Sequence, residues 1–273
     1  MLSTPILAVQ MPEVKVSGQY NEDARSGPYN APEWTNDRRF STTRIYLQQQ
    51  GWGQVGFEQW WRGRYYRDGT AQNKFEEEIE IGLPYRFQLD IYENWVMDQD
   101  RYTTQDEASI ELRWALADWG KIPLNPTLYA EYAFVDAGAD TVELKLLLGD
   151  NIGPRWHWGA NFSLEQEVTD AHSTELLFAQ GISYTLIDQK LDVGVEMEFI
   201  HTTEYGSRSD PSVEFQMGPS IQWRPTSWSH IDIVPLIGMT GDSPRVESFV
   251  IFGIDFGPGR NKEHGYKPAA LGR

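Results

Sequence analysis

The chain has 273 residues, and its 23 Lys+Arg against 40 Asp+Glu leave a net charge of −17. That balance offers no basic surface for phosphate contacts and excludes a nucleic-acid binder. The absence of cysteine removes disulfides, thiol nucleophiles and Cys-ligated metals. With 11 Trp, 13 Tyr and 12 Phe the chain is too aromatic to be a disordered acidic polymer, and no apolar run approaches the roughly 18 residues of a membrane helix.

Residues 1–10 (MLSTPILAVQ) hold a short apolar stretch without a basic flank, which fits either a signal-peptide remnant or the start of a mature chain. Residues 1–50 as a whole read as an extended arm. Pro12, Pro28 and Pro32 with Gly18 and Gly27 punctuate a polar, mixed-charge stretch, and Arg44–Gln49 has enough alternation for one further short strand. From 51 to 257 the pattern becomes strand-length segments of period two. They fall at 54–65, 74–82, 85–97, 107–117, 127–135, 141–148, 156–168, 174–186, 190–200, 212–223, 230–240 and 246–256. Between them stand turn residues such as Asp68-Gly69, Gly82-Leu83-Pro84, Gly149-Asp150-Asn151 and Gly241-Asp242-Ser243-Pro244. A basic tail with Gly and Pro, 258–273, closes the chain.

The alternation is the informative feature. In 107–117 the apolar phase is Ala108, Ile110, Leu112, Trp114 and Leu116, against Glu107, Ser109, Glu111 and Arg113. In 190–200 it is Leu191, Val193, Val195, Met197 and Phe199, against Asp192, Glu196 and Glu198. Sorting all segments this way places nineteen carboxylates and six bases on the polar phase, and only Glu77 and Glu93 on the apolar one. Two architectures share such a pattern: a soluble β domain with an apolar core, and a membrane barrel with an apolar outside.

Four features favour the membrane. The segments run about 9–13 residues, the reach of a tilted spanning strand. Aromatics recur at segment ends, where interfacial girdles lie: Tyr85, Trp95, Trp114, Trp156, Trp158, Trp223 and Phe256. Alternate connections resemble short inner turns and longer outer loops, and an even strand count closes without an edge. Residues 54–256 resemble a Gram-negative outer-membrane β-barrel of the porin-like class. The ending Phe252-Gly253-Ile254-Asp255-Phe256 is similar to the aromatic-terminated last strand that such proteins present to the barrel-assembly machinery, although 17 residues follow it here. The resemblance implies an all-β, closed antiparallel up-and-down transmembrane β-barrel of about twelve strands in the bacterial outer membrane.

In that fold the acids face inward, because a charge on the lipid face costs roughly 2–4 kcal/mol at mid-depth for Arg or Lys and less for Asp or Glu. The lumen-lining candidates are therefore Glu76, Glu78, Glu80, Arg86, Asp90, Glu111, Arg113, Glu131, Glu143, Lys145, Glu196, Glu198 and Glu214. Their surplus of carboxylates points to a channel for small solutes that favours cations. Known twelve-stranded channels for acidic oligosaccharides line their lumen with Arg and Lys, the opposite of this chain. Two other readings stand beside the channel. One is a structural barrel with a filled lumen, serving an envelope complex through its two arms; the other is a soluble, Trp-rich domain binding carbohydrate. The arms are expected to dock inside the barrel, on its periplasmic surface or on a partner. No enzyme is expected: His172-Ser173 are adjacent, the wrong geometry for a nucleophile and its base. No cofactor or metal is expected either. Gly51-Trp52-Gly53-Gln54-Val55-Gly56 opens a strand rather than a helix, and the five histidines are scattered.

Overall fold

The computed structural model describes residues 25–257 apart from 27, 37, 98–102 and 170–172, and leaves out the side chains at 25, 26 and 103–105. Residues 1–10, read as either a signal remnant or the start of a mature chain, the tail at 258–273 and His172 lie outside the described residues. Among the described residues a two-residue ribbon, β1 (Arg25–Ser26) with β2 (Ala31–Pro32), comes first, followed by a 3-10 turn at Glu33–Asn36. Residues 38–54 contain no strand. Twelve long strands come next: β3 (Val55–Tyr65), β4 (Ala71–Leu83), β5 (Phe87–Met97), β6 (Thr103–Ala115), β7 (Thr127–Val135) and β8 (Thr141–Asn151). Then follow β9 (Trp156–Glu167), β10 (Thr174–Ile187), β11 (Leu191–Thr203), β12 (Ser212–Thr226), β13 (Ser229–Gly238) and β14 (Val246–Phe256).

Each barrel strand pairs antiparallel with its chain neighbour, and β14 pairs back onto β3 to close the cylinder. Closure leaves the barrel no edge strand, where an open edge in hydrocarbon would leave amides unpaired. All twelve predicted segments are strands. One begins later than expected: Tyr85 and Arg86 have φ of 61° and 66° and belong to a turn, Pro84–Arg86, so β5 starts at Phe87. Arg44–Gln49 is not a strand; its polar groups bond side chains of the barrel wall instead.

Val55 and Phe256 are Cα partners, so the chain enters and leaves the barrel at one end, called here the terminal end. Connections there are short except 116–126, eleven residues and the longest in the barrel. The expected contrast between short inner turns and long outer loops therefore fails at that loop. At the far end the 66–70 turn is held by Tyr66 and Thr70, and Thr70 donates its amide and hydroxyl to Asp68. Those two bonds hold the Asp68 carboxyl below the usual carboxylate range.

The two faces of the sheet are distinct. Leu112, Val195 and Phe252 are 42%, 43% and 40% exposed on the outside, whereas Glu78, Glu111 and Glu196 are fully buried within. That arrangement rules out the soluble reading, in which the apolar phase would form a dry core. The two carboxylates of the apolar phase, Glu77 and Glu93, are Cα partners on the outer face, and Gln59 donates to Glu77 at 3.3 Å. Of the expected girdle, Tyr85, Trp114, Trp156, Trp223 and Phe256 are exposed near the terminal end. Trp158 lies one step further in and half-buried, and Trp95 sits toward the far end of β5.

Candidate functional site

The bore is occupied by the chain's own N-terminal arm. Arg38 donates to Glu58 at 2.5 Å and Glu78 at 3.0 Å and approaches Glu80 at 3.6 Å; Arg39 pairs with Asp192. Glu196 accepts three bonds, from the Ser41 and Thr42 amides and the Thr42 hydroxyl, at 2.8–2.9 Å. The backbone of Arg44 exchanges two bonds with the Asn161 amide at 2.7 and 2.6 Å, and its guanidinium reaches Glu78 at 3.3 Å. Burial works against the Arg44 charge, yet Glu78, Glu111 and Glu58 hold its pKa well above that of a free guanidinium. The Gln48 and Gln49 amides both donate to the Gln88 side chain, and Gln49 bridges Glu80 and Asp255. The segment thus bonds β3, β4, β5, β9, β11 and β14 and spans the bore.

The wall is shaped to receive it. Gly149, Gly159 and Gly181 are neighbours across β8, β9 and β10, all facing inward. A Cβ at Gly181 would stand 2.4 Å from the Phe40 ring, and one at Gly149 or Gly159 would stand 2.9 or 2.5 Å from Ile45. Glycine is required here by close approach rather than by backbone angle. At the terminal end Trp34 stacks on His157 at 4.5 Å and meets Trp119 edge-on at 5.8 Å; Tyr46 meets Trp119 at 5.3 Å. Trp119 belongs to the 116–126 loop, so that long connection is a cap over the docked arm. Burying such side chains contributes roughly 1.5–3 kcal/mol each. Tyr46 donates to the Ala117 carbonyl at 2.9 Å, and burial, reinforced by Asp118, pushes its phenol up.

Acidic residues run across the inner wall in one register line. Glu80, Asp90, Glu111, Glu131, Glu143, Glu165 and Glu175 are successive Cα partners on β4 through β10. Because barrel strands tilt, this line climbs from near the terminal end at Glu80 to near the far end at Glu175. Like charges directly opposite are destabilising, so the row must be compensated. In its lower half it is: Arg113 pairs with Asp90 at 2.9 Å and with Glu111, and Arg38 serves Glu58, Glu78 and Glu80. The trios Glu58/Glu78/Glu80 and Glu78/Asp90/Glu111 bring carboxylate oxygens within 4.8 Å, a metal-like grouping. The Arg38 and Arg113 guanidiniums already fill that cationic role.

Above Ser41, Thr42 and Arg44 the bore widens into a vestibule facing the far end, with cavities of about 410 and 330 Å³ that share much of their lining. Its bases are all engaged. Arg62 and Arg64 both bond Glu247, Lys74 pairs with Glu107 at 3.3 Å, and Lys145 pairs with Glu143 at 2.7 Å. Six carboxylates, Glu76, Glu131, Glu165, Glu175, Glu198 and Glu214, line it without a cation in ion-pair reach among the described residues.

The sequence-predicted lumen residues thus fall in three places. Glu78, Glu80, Asp90, Glu111, Arg113 and Glu196 lie in the arm-filled bore; Glu76, Glu131, Glu143, Lys145, Glu198 and Glu214 line the vestibule. Arg86 corrects the expectation: it leaves the strand phase for the terminal rim, where it bonds the Ala115 carbonyl at 3.1 Å and Asp118 at 3.3 Å. The arm residues Arg38, Arg39 and Arg44 and the glycine row were not singled out from sequence. The signal for the glycines exists only once register is known, when three inward glycines align on adjacent strands.

No family model matches the chain, and no curated protein matches it in sequence. Among solved structures the barrel is similar to an outer membrane channel from Pseudomonas putida F1, with a TM-score of 0.55 at 9% identity over 77% of this chain and 98% of that one. It is likewise similar to the NanC porin (TM-score 0.54, 9% identity, 74% and 98% covered) and the KdgM porin (0.51, 10%, 74% and 99%). At such identities the likeness is one of fold: this is a barrel of the outer-membrane, porin-like architecture.

Proposed function

We propose that this chain is an outer-membrane channel for small solutes that favours cations, with its own N-terminal arm as a resident plug. The observation that carries the reading is the climbing row of carboxylates on the inner wall, which continues above the plug into a vestibule where acids outnumber their partners. Inward carboxylates raise local cation concentration and exclude anions. Passage requires the arm to shift, since residues 38–50 bridge the bore. Insertion by the barrel-assembly machinery belongs to the same proposal, supported by the outward Phe256 that ends β14.

The docked arm also favours a second reading, a structural barrel with a permanently filled lumen in an envelope complex. Planar-bilayer recording in a potassium chloride gradient separates the two. The channel reading expects conductance steps with a reversal potential on the cation side, larger when Arg38→Ala loosens the arm. A protein that stays silent with and without that substitution is the filled scaffold, and an anion-side reversal potential would remove the cation preference.

A further inference from the structure

We propose that the vestibule binds an extended organic oligocation, a linear amine with two or more charged nitrogens, along the upper part of the carboxylate row. The inference rests on the preceding reading in one respect, that the vestibule is reached by solutes from the far end.

The charge pattern comes first. Every base of the vestibule already holds a carboxylate, while Glu131, Glu143, Glu165 and Glu175 stand side by side on four adjacent strands with one lysine, Lys145, among them. Neighbouring strands lie about 5 Å apart, so the row presents carboxylates at a repeat that a propyl or butyl spacer between amines can follow. A single small ion bridges two of them at most; an oligoamine meets the row in line.

A second observation is independent of the acids. Tyr92 and Asn94 on β5 are 5% and 1% exposed and line the smaller cavity or its edge, and the Tyr92 hydroxyl and the Asn94 side-chain oxygen have no hydrogen-bond partner among the described residues. The Asn94 amide nitrogen donates to Glu107 at 2.6 Å, which fixes its oxygen as the free acceptor. A buried acceptor left unpaired is unfavourable, and an ammonium N–H satisfies it.

The lining also suits the rest of such a molecule. Leu177, Ile200 and Phe249 contribute apolar surface to the larger cavity, a bed for methylene spacers between charged ends. A divalent metal fits less well, because Ca²⁺ needs about 6–8 oxygens converging at 2.3–2.6 Å. The convergent carboxylate trios among the described residues lie instead in the bore, with arginines in them. The arm supplies an internal example of the chemistry. The Arg38 and Arg44 guanidiniums sit 4.4 and 5.2 Å from the Trp60 ring while bonded to carboxylates.

Calorimetric titration of the full chain in detergent tests the proposal, with bis(3-aminopropyl)amine, propylamine and calcium chloride as probes. The triamine is expected to bind at least about tenfold more tightly than propylamine and than calcium, a difference of about 1.4 kcal/mol. Glu165→Gln with Glu175→Gln is expected to remove that advantage. Equal affinity for triamine and monoamine, tighter binding of calcium, or an advantage untouched by the double substitution would overturn it. The comparison among probes needs no variant, so a misfolding double mutant leaves it decisive. Cation-selective conductance without triamine preference sinks this inference alone; triamine preference without cation-selective conductance sinks the channel reading alone.

Discussion

Glu196 and Glu198 stand two residues apart on β11, both inward, and have different surroundings. Glu196 lies against the arm and accepts two backbone amides and a hydroxyl from Ser41 and Thr42. Glu198 looks into the vestibule and accepts one bond, from the Gln216 amide at 2.9 Å. The contrast holds along the inner wall: the arm, Arg113 and His230 of β13 answer the acids of the bore, and the acids of the vestibule outnumber their cations. One binary pattern therefore produces two electrostatic environments, and what separates them is the arm together with Arg113, the inward arginine of β6. The bore is a packed, ion-paired interior, and the vestibule is a wet surface with negative charge in excess.

The largest expected effect removes the answer in the bore. Replacing Arg38 and Arg44 by alanine leaves Glu58, Glu78 and Glu80 without these arginines, and from the arm only the neutral Gln48 and Gln49 side chains still bond Glu58 and Glu80. Breaking a buried ion pair from one side costs about 3–5 kcal/mol. The acids recover hydration only if the arm leaves, so the docked state is expected to lose its advantage. Limited proteolysis of the folded barrel should then cut within residues 38–50 far faster than in the parent chain. Unchanged protection would mean that the apolar cap at Trp34, Tyr46 and Trp119 holds the arm without the ion pairs.

Next in size is the β11 pair itself. Glu196→Gln weakens three charge-assisted bonds and is expected to lower the stability of the docked arm by about 1.5–3 kcal/mol, again visible as faster proteolysis. Glu198→Gln is expected to leave arm protection alone and to shift the reversal potential toward zero. If both substitutions act alike, the boundary drawn at Ser41, Thr42 and Arg44 is false. Somewhat smaller is Gly181→Val: side-chain atoms placed where the Phe40 ring now lies overpack the bore, at about 1–3 kcal/mol. Arm release without loss of the heat-modifiable barrel band is the expected signature, and loss of the band would show that Gly181 serves the barrel rather than the arm.

Much of the barrel could be read in the sequence, because a period of two on twelve successive segments leaves each side chain one of two faces. The orientation of Ile110 against Glu111, or Val195 against Glu196, follows from alternation plus the cost of charge in lipid. Tyr85 and Arg86 escaped because left-handed φ at non-glycine residues breaks the alternation without a sequence mark. The arm escaped for another reason. Arg38, Arg39 and Arg44 have no periodicity; their partners lie on strands tens to well over a hundred residues away, as Arg39 with Thr185 shows. Which acids were neutralised was therefore invisible in a pattern that counts charges along one strand. The 116–126 loop is legible as a turn, but its length follows only from the contact that its Trp119 makes with Trp34 of the docked arm.

The smallest expected effect sharpens the vestibule side. Lys74 and Glu107 pair at 3.3 Å with both side chains partly exposed to water, and such pairs contribute about 0–1 kcal/mol. Lys74→Met should leave the unfolding midpoint in urea nearly unchanged, since it neither empties a packed site nor strands a buried charge: Asn94 still donates to Glu107 at 2.6 Å. Its influence should appear elsewhere. Removing one of the few positive charges that face the cavity makes the vestibule more negative, so cation preference is expected to rise while stability stays put. The same substitution in the bore could not separate the two readouts, because there each charge is also a packing element. A vestibule variant that lost stability without changing selectivity would place Lys74 in a packed interior and erase the distinction between the two regions.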